Sequence, residues 1–429
     1  MGIILETLQG VSKAVVTPPY IFMLLVIGII FYRKNKKITM MQKLIIGEKV
    51  NTPLELTLSE IVLGIFGGIL CSIILAYLGV GFSENSFIDI IFLLSLLSIS
   101  FNSKYMKLVY TSAVLGFISI LVEIMSGMYN VDIRGFEFLT IDVISLMTMT
   151  AVIYFIQGIL TMVDGSRGAI PIFSKRNDNI IGGFALKRCW ILPLAIIIFT
   201  NSNSYSFEEL IVINKWRPFL NITNPSILLK EIMLTILPIF GMLTFNTVTF
   251  TKTKNEKTLI TGTLMMVYSI LLFVLSRLGS LNIFFKIAAV LFAPTAIEGM
   301  NYLQKYIELK DKPKYVSGED GIMVLEVAPN SPAYSMGIKS GDKLIKINDK
   351  KIIKEDDIFE TLKETSNSIL LKIKRATGKL EEVRFSKGND IMGLGLVLVP
   401  VTIPKESKMI RSDDFSIDNI IDKIKKKKD

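Results

Sequence analysis

Up to about Met300 the chain repeats long apolar runs separated by short polar connections, several of them near the roughly 20 residues a helix needs to cross a bilayer. From Tyr302 onward Lys, Asp and Glu recur every few residues, as on a soluble domain. The pattern predicts an α-helical polytopic membrane bundle over 1–299, a small α+β domain over 300–403 with its core at 315–400, and a basic tail over 404–429. Candidate spans are Val15–Tyr32, Leu58–Val80, Phe87–Phe101, Leu108–Ser126, Phe138–Val163, Phe184–Thr200, Ile227–Phe250, Thr258–Ser276 and Leu281–Ile297. The expected number of helices is eight or nine. The run at Phe87 is short, the sixth holds only CWILPLAIIIFT unbroken, and the last two are joined by little more than RLGS.

Basic residues in the loops give an orientation. The first loop carries Arg33, Lys34, Lys36, Lys37, Lys43 and Lys49, the third Lys104 and Lys107, the fifth Arg167, Lys175, Arg176, Lys187 and Arg188, and the seventh Lys252, Lys254 and Lys257. The even loops are poor in lysine and arginine or offset them with acids, as Glu208 and Glu209 offset Lys215 and Arg217. Nine spans then put the N-terminus outside and the C-terminal domain in the cytoplasm. The N-terminus shows no cleavable-signal pattern, because the run after Ala14 continues into a full span ending at RKNKK.

The net charge of +10 raises nucleic acid as a partner, but most of the basic residues sit in loops and the C-terminal region, as in an inserted membrane protein. No nucleic-acid partner is expected. Cys71 and Cys189 lie in or beside apolar runs, with no metal or disulfide spacing, and read as packing residues. No metal or cofactor is expected.

The chain has no histidine. That excludes HExxH zinc chemistry and any Ser-His or Cys-His pair, and with them several kinds of membrane protease. Glu123, Glu231 and Lys286 are the deepest charges in the spans, with Asp89 and Asp142 nearer the outer ends. They either pair across helices or serve a transport or proton-relay path. No GxGD motif lies in a span to make an aspartyl dyad of Asp89 and Asp142. No enzymatic activity is expected.

The segment Gly321–Ile352 reads as strand, short helix, turn and strand. Ser331 and Pro332 can start the helix, and Gly337 can cap its end. A second strand follows at Lys343–Asn348, a charged helix at Glu355–Thr365, and another strand at Ile369–Arg375. The run V-A-P-N-S-P-A-Y-S-M-G-I-K-S-G-D-K-L-I-K-I-N resembles the hallmark of bacterial PDZ domains. That resemblance covers about Tyr315 to Pro400 and implies a peptide-binding module that adds an extended ligand to a sheet edge. The family's glycine-containing carboxylate loop is best matched by Gly393, Leu394, Gly395 and Leu396, followed by the strand-like Val397 to Val399. It comes after the other elements, so the resemblance implies a permuted order with the ligand-facing strand last. The other wall of the groove would carry Ile358, Phe359 and Leu362. The alternative is that GLGLVLV closes the sheet and binds nothing.

In the tail, Ile417, Ile420, Ile421 and Ile424 share one helical face, with Ser416 as N-cap. Lys425, Lys426, Lys427 and Lys428 follow and suit an anionic lipid leaflet. A membrane-surface helix, a helix docked on a partner and a solvated tail are the three readings.

Many spans followed by a cytoplasmic PDZ domain resemble the MinJ family of division-site proteins. TPPYIFMLLVIGIIFYRKNKK resembles that family's first span and basic exit, FALKRCWILPLAIII its entry to a later span, and GLGLVLVP its closing strand. The resemblance implies a non-enzymatic scaffold in the bacterial plasma membrane, enriched at septum and poles, linking DivIVA to MinD. An accessory that presents substrate tails to a membrane protease or signalling pathway needs the same groove, and a transporter or an enzyme with Ser-Lys chemistry is the third class.

Overall fold

The computed structural model describes residues 2–48, 50–101, 104–129, 140–176, 179–200, 219, 233–348, 350–352, 357–358, 360–361, 368–386 and 394–401. The N-terminal region is mostly helical. Its helices are α1 (Gly2–Val16), α2 (Pro18–Ile46), α3 (Pro53–Leu78), α4 (Ile88–Phe101), α5 (Leu108–Tyr129), α6 (Val143–Asp164), α7 (Lys254–Leu278) and α8 (Ile283–Lys310). Among the described residues five, α3 and α5 to α8, are long and apolar enough to cross a membrane. The α1–α2 pair, bent by 63° at Thr17–Pro18, would make a sixth. Helix starts follow local chemistry. Thr52 caps α3 by accepting from the Glu55 amide, Asp142 caps α6, and Thr253 with Glu256 forms a reciprocal capping box on α7.

The expected spans at Phe184–Thr200 and Ile227–Phe250 are corrected by the structure. The first is the end of a long strand, β3 (Asn179–Thr200). The described part of the second is β4 (Met233–Thr249), paired antiparallel with β3 from Phe184↔Thr249 to Thr200↔Met233. Pro193 and Pro238 oppose a continuous helix, and the Ile, Phe and Thr on either side suit a strand buried on both faces. Shorter strands extend this sheet. β1 (Gly81–Ser83) runs parallel to the far end of β3, and β2 (Ile170–Arg176) pairs with its beginning. Among the described residues, five or six helical spans around a β-hairpin therefore stand where nine spans were expected.

A buried strand with open edges must find partners for its amides. Side chains of the surrounding helices supply them. The Cys189 amide donates to Glu60 (3.0 Å) and the Ala195 amide to Ser72 (2.9 Å) on one edge. On the other, the Met242 amide donates to Ser95 (3.2 Å), and Gln157 donates to the Thr244 carbonyl (3.0 Å). Gly64 and Gly68 let the α3 backbone lie directly on Ile191 and Pro193 of β3. Arg188 on β3 is fully buried and is held by Asp164 (Nε to Oδ2, 2.8 Å) and Glu60 (3.3 Å), with Trp190 also donating to Asp164 (3.0 Å).

The C-terminal part is β-rich: β5 (Tyr315–Val316), β6 (Ile322–Val327), a one-turn helix α9 (Pro332–Ser335), β7 (Lys343–Ile347), β8 (Lys350–Lys351), β9 (Ser368–Lys374), β10 (Leu380–Ser386) and β11 (Leu396–Leu398). The sheet order is β10-β9-β7-β6-β11, with β8 beside β7. Ile322, Val324, Leu344, Ile347, Ile369, Leu371 and Ile373 form its core with Ala333 and Ile338. The domain is docked on the helical region. β5 pairs with Ile181 and Gly182 of β3, Tyr315 meets Phe184 edge-on at 5.6 Å, and Lys254 pairs with Glu326 at 2.7 Å. Leu325, Ala328, Val397 and Val399 join the hydrophobic cluster of the helical region instead of their own domain's core. The helix α8 runs unbroken through Gly299, and Glu308 near its end binds Lys257 (3.1 Å) and the Phe250 amide (3.1 Å).

Candidate functional site: a peptide groove at the β11 edge

The site grows from the short helix α9. Ser331 caps it by accepting from the Tyr334 amide (3.2 Å), and its hydroxyl donates to the Ala328 carbonyl (2.7 Å). Gly337, at φ +70°, ends it. The next turn is fixed by Asp342, which accepts from the Lys339 amide (2.9 Å), Arg375 (2.8 Å) and the Ala376 amide (3.2 Å). Arg375 also binds Glu381 at 2.8 Å, and that guanidinium holds the Glu381 carboxyl below its ordinary range. At the junction, burial pushes the Tyr315 hydroxyl above its ordinary value.

Against this scaffold lies the glycine loop. The Ala333 amide donates to the Leu394 carbonyl (3.0 Å) and the Ala328 amide to the Gly395 carbonyl (2.8 Å). Gly395 adopts φ +70°, and a β-carbon there would lie 2.8 Å from the Ser331 hydroxyl. Only glycine fits both the backbone angle and the close approach. Since a trans peptide sets N–H opposite C=O, carbonyls aimed at α9 and β6 turn the Gly395 and Leu396 amides the other way. Those two donors face the open side of β11.

β11 is the terminal strand of the sheet, pairing Leu396 with Val327, Val397 with Glu326 and Leu398 with Val324. Its second edge has no strand partner among the described residues. Alternate side chains diverge. Val397 and Val399 pack on the helical region, whereas Leu396 and Leu398 pack on the domain core beside buried Leu394 and Ile358. An open edge, an apolar floor and two outward amides are what an extended peptide and its terminal carboxylate require.

Of the residues expected to form the groove, the structure brings together Leu394, Gly395, Leu396 and Ile358. Gly393, Phe359 and Leu362 lie outside the described residues, as do Ile417, Ile420, Ile421, Ile424 and Lys425 to Lys428 of the tail. Leu398 and Ser331 were not expected to shape the groove. Leu398 could have been found from its two-residue spacing to Leu396, but nothing in the sequence places Ser331 against Gly395. Three of the five charges noted in the spans have ordinary structural roles. Lys286 pairs with Glu123 (2.6 Å), and Asp142 caps α6. Glu231 lies outside the described residues. Among the described residues no group of three Cys, Asp or Glu could hold a metal.

The element order β6, α9, β7, β9, β10, β11 is that of a PDZ-like domain in which the strand beside the glycine loop comes last. Residues 323–375 match the PDZ domain family. A stretch of 74 residues is 35% identical to human "Serine protease HTRA3", covering 17% of this chain and 16% of that protein. The similarity thus spans about a sixth of either chain. No solved structure matches.

Proposed function

We propose that this chain is a non-enzymatic adaptor of the bacterial plasma membrane that captures partner proteins by their C-termini in its PDZ groove. The observation that carries this reading is the loop at Gly395, with its two outward amides beside the open edge of β11. PDZ domains are protein-interaction modules, and this geometry favours an extended ligand ending in a free carboxylate. Membrane insertion is supported by the apolar side chains that the helices leave outside. On α3, Leu54, Leu58, Val62, Phe66 and Leu70 form an exposed stripe at four-residue spacing, and on α7 Val267, Ile270, Leu271 and Val274 form one at the i, i+3, i+4, i+7 positions. The basic residues after α2, before α5 and in the connection between α6 and α7 support a cytoplasmic PDZ domain. In the finer form of the proposal the adaptor is MinJ-like, is enriched at septum and poles, and links DivIVA to MinD, with the tail on anionic lipid. That form rests on the resemblance of the whole chain to the MinJ family.

The similarity to a PDZ region of a serine protease favours a second reading, an accessory that hands substrate tails to a membrane protease. Both readings need the groove. The test is binding of C-terminal peptide libraries to the full chain in nanodiscs, comparing each peptide with its C-terminal amide. The groove reading expects binding of free acids, loss on amidation, and loss with Gly395→Val. Equal binding of acids and amides, or none at all, would overturn it.

A further inference from the structure

The outer face of the PDZ sheet carries an array of lysines. Across β7 and β9, Lys343 lies opposite Lys374 and Lys346 opposite Lys372, and across β7 and β8, Lys346 lies opposite Lys351. Lys343 and Lys346 are three residues apart and would fall on opposite faces of a regular strand. The register shift between Leu344 and Lys346 puts both on the outer face, while Leu344 and Ile347 stay in the core. Like charges directly opposite each other destabilise a sheet, and here three such pairs share one surface. The carboxylate against them is Glu382, 3.3 Å from Lys372; Lys343, Lys346, Lys351 and Lys374 have no ion-pair partner among the described residues.

We infer that this lysine face docks an acidic, extended protein segment, at a second site separate from the groove. Lys372 and Lys374 stand about 7 Å apart along β9, and alternate side chains of an extended acidic chain have the same pitch. The neighbouring row on β7 lies about 5 Å across, within reach of the same carboxylates. An anionic leaflet would also be attracted. Glu382 sits within the array, however, where it repels a uniform negative surface but can set the register of a patterned acidic segment.

The test uses the full chain in nanodiscs of neutral lipid and a fluorescent oligoglutamate with an amidated C-terminus, which the groove's carboxylate loop would not select. Binding should weaken with salt, since surface pairs are screened. Lys343→Gln/Lys346→Gln/Lys374→Gln should weaken it about tenfold, as several exposed pairs together allow. The same substitutions remove like-charge pairs, so the unfolding midpoint should rise, which separates lost binding from lost folding. Equal binding by the triple variant, or no oligoglutamate binding alongside lysine-dependent binding to phosphatidylserine vesicles, would overturn the inference.

Discussion

Val399 closes over Gly182 of β3, so that a β-carbon at residue 182 would lie 2.8 Å from Val399 Cγ2. The strand that borders the groove is thereby packed on the helical region through its opposite face. Gly182→Val should overpack this seam by about 1–3 kcal/mol and release the PDZ domain. Limited proteolysis of the full chain checks this: cleavage after Lys312 or Lys314 should become faster in the variant. Unchanged protection would show that the seam tolerates the added volume.

Arg188 is the cation between Asp164 and Glu60, all three buried. Arg188→Ala leaves two carboxylates without it and should destabilise the protein by about 3–5 kcal/mol. Arg188→Lys restores the charge with fewer donors and should fall between. Thermal midpoints from size-exclusion profiles in detergent give the order.

The strand edges are sealed by single side chains. Ser72→Val removes the acceptor of the Ala195 amide, and Gln157→Leu removes the donor to the Thr244 carbonyl. Each should cost about 1–3 kcal/mol, the penalty for a buried polar group left unmade. Hydrogen exchange should quicken around Ala195 in Ser72→Val.

Tyr315 ionises above its ordinary value near 10 because it is buried against Phe184. The fold favours the neutral phenol, so this stability is complete below about pH 10 and is lost as pH rises through the higher folded value. The proteolysis assay for domain release should therefore show an alkaline loss of docking, and Tyr315→Phe should abolish that pH dependence.

A fluorescent fusion of the full chain should concentrate at septa and poles if the adaptor serves division, and Gly395→Val should spread it evenly over the membrane. Even signal in both chains would remove the division reading and leave the protease accessory.

The PDZ domain was legible because its constraints are local. Ser331-Pro332 starts a helix, Gly337 ends it, and Asp342 closes a turn, each through bonds within a few residues. The permuted order followed from the position of Gly395 alone. In the bundle, the runs behind α3, α5, α6, α7 and α8 were long enough to declare themselves. The run at Phe184–Thr200 was equally apolar, and apolarity does not distinguish a buried helix from a strand buried on both faces.

Alternation of polar and apolar residues, turn chemistry and the glycine loop are properties of short stretches of chain, and by themselves they determined a helical region, a PDZ domain and a last strand that follows the glycine loop. The β3–β4 hairpin was decided by tertiary structure, because its open amides are stable only where Glu60, Ser72, Ser95 and Gln157 arrive from four contacts distant in sequence. The lysine face was decided the same way: a one-residue register shift in β7 turns Lys346 beside Lys372, and register is a relation between strands.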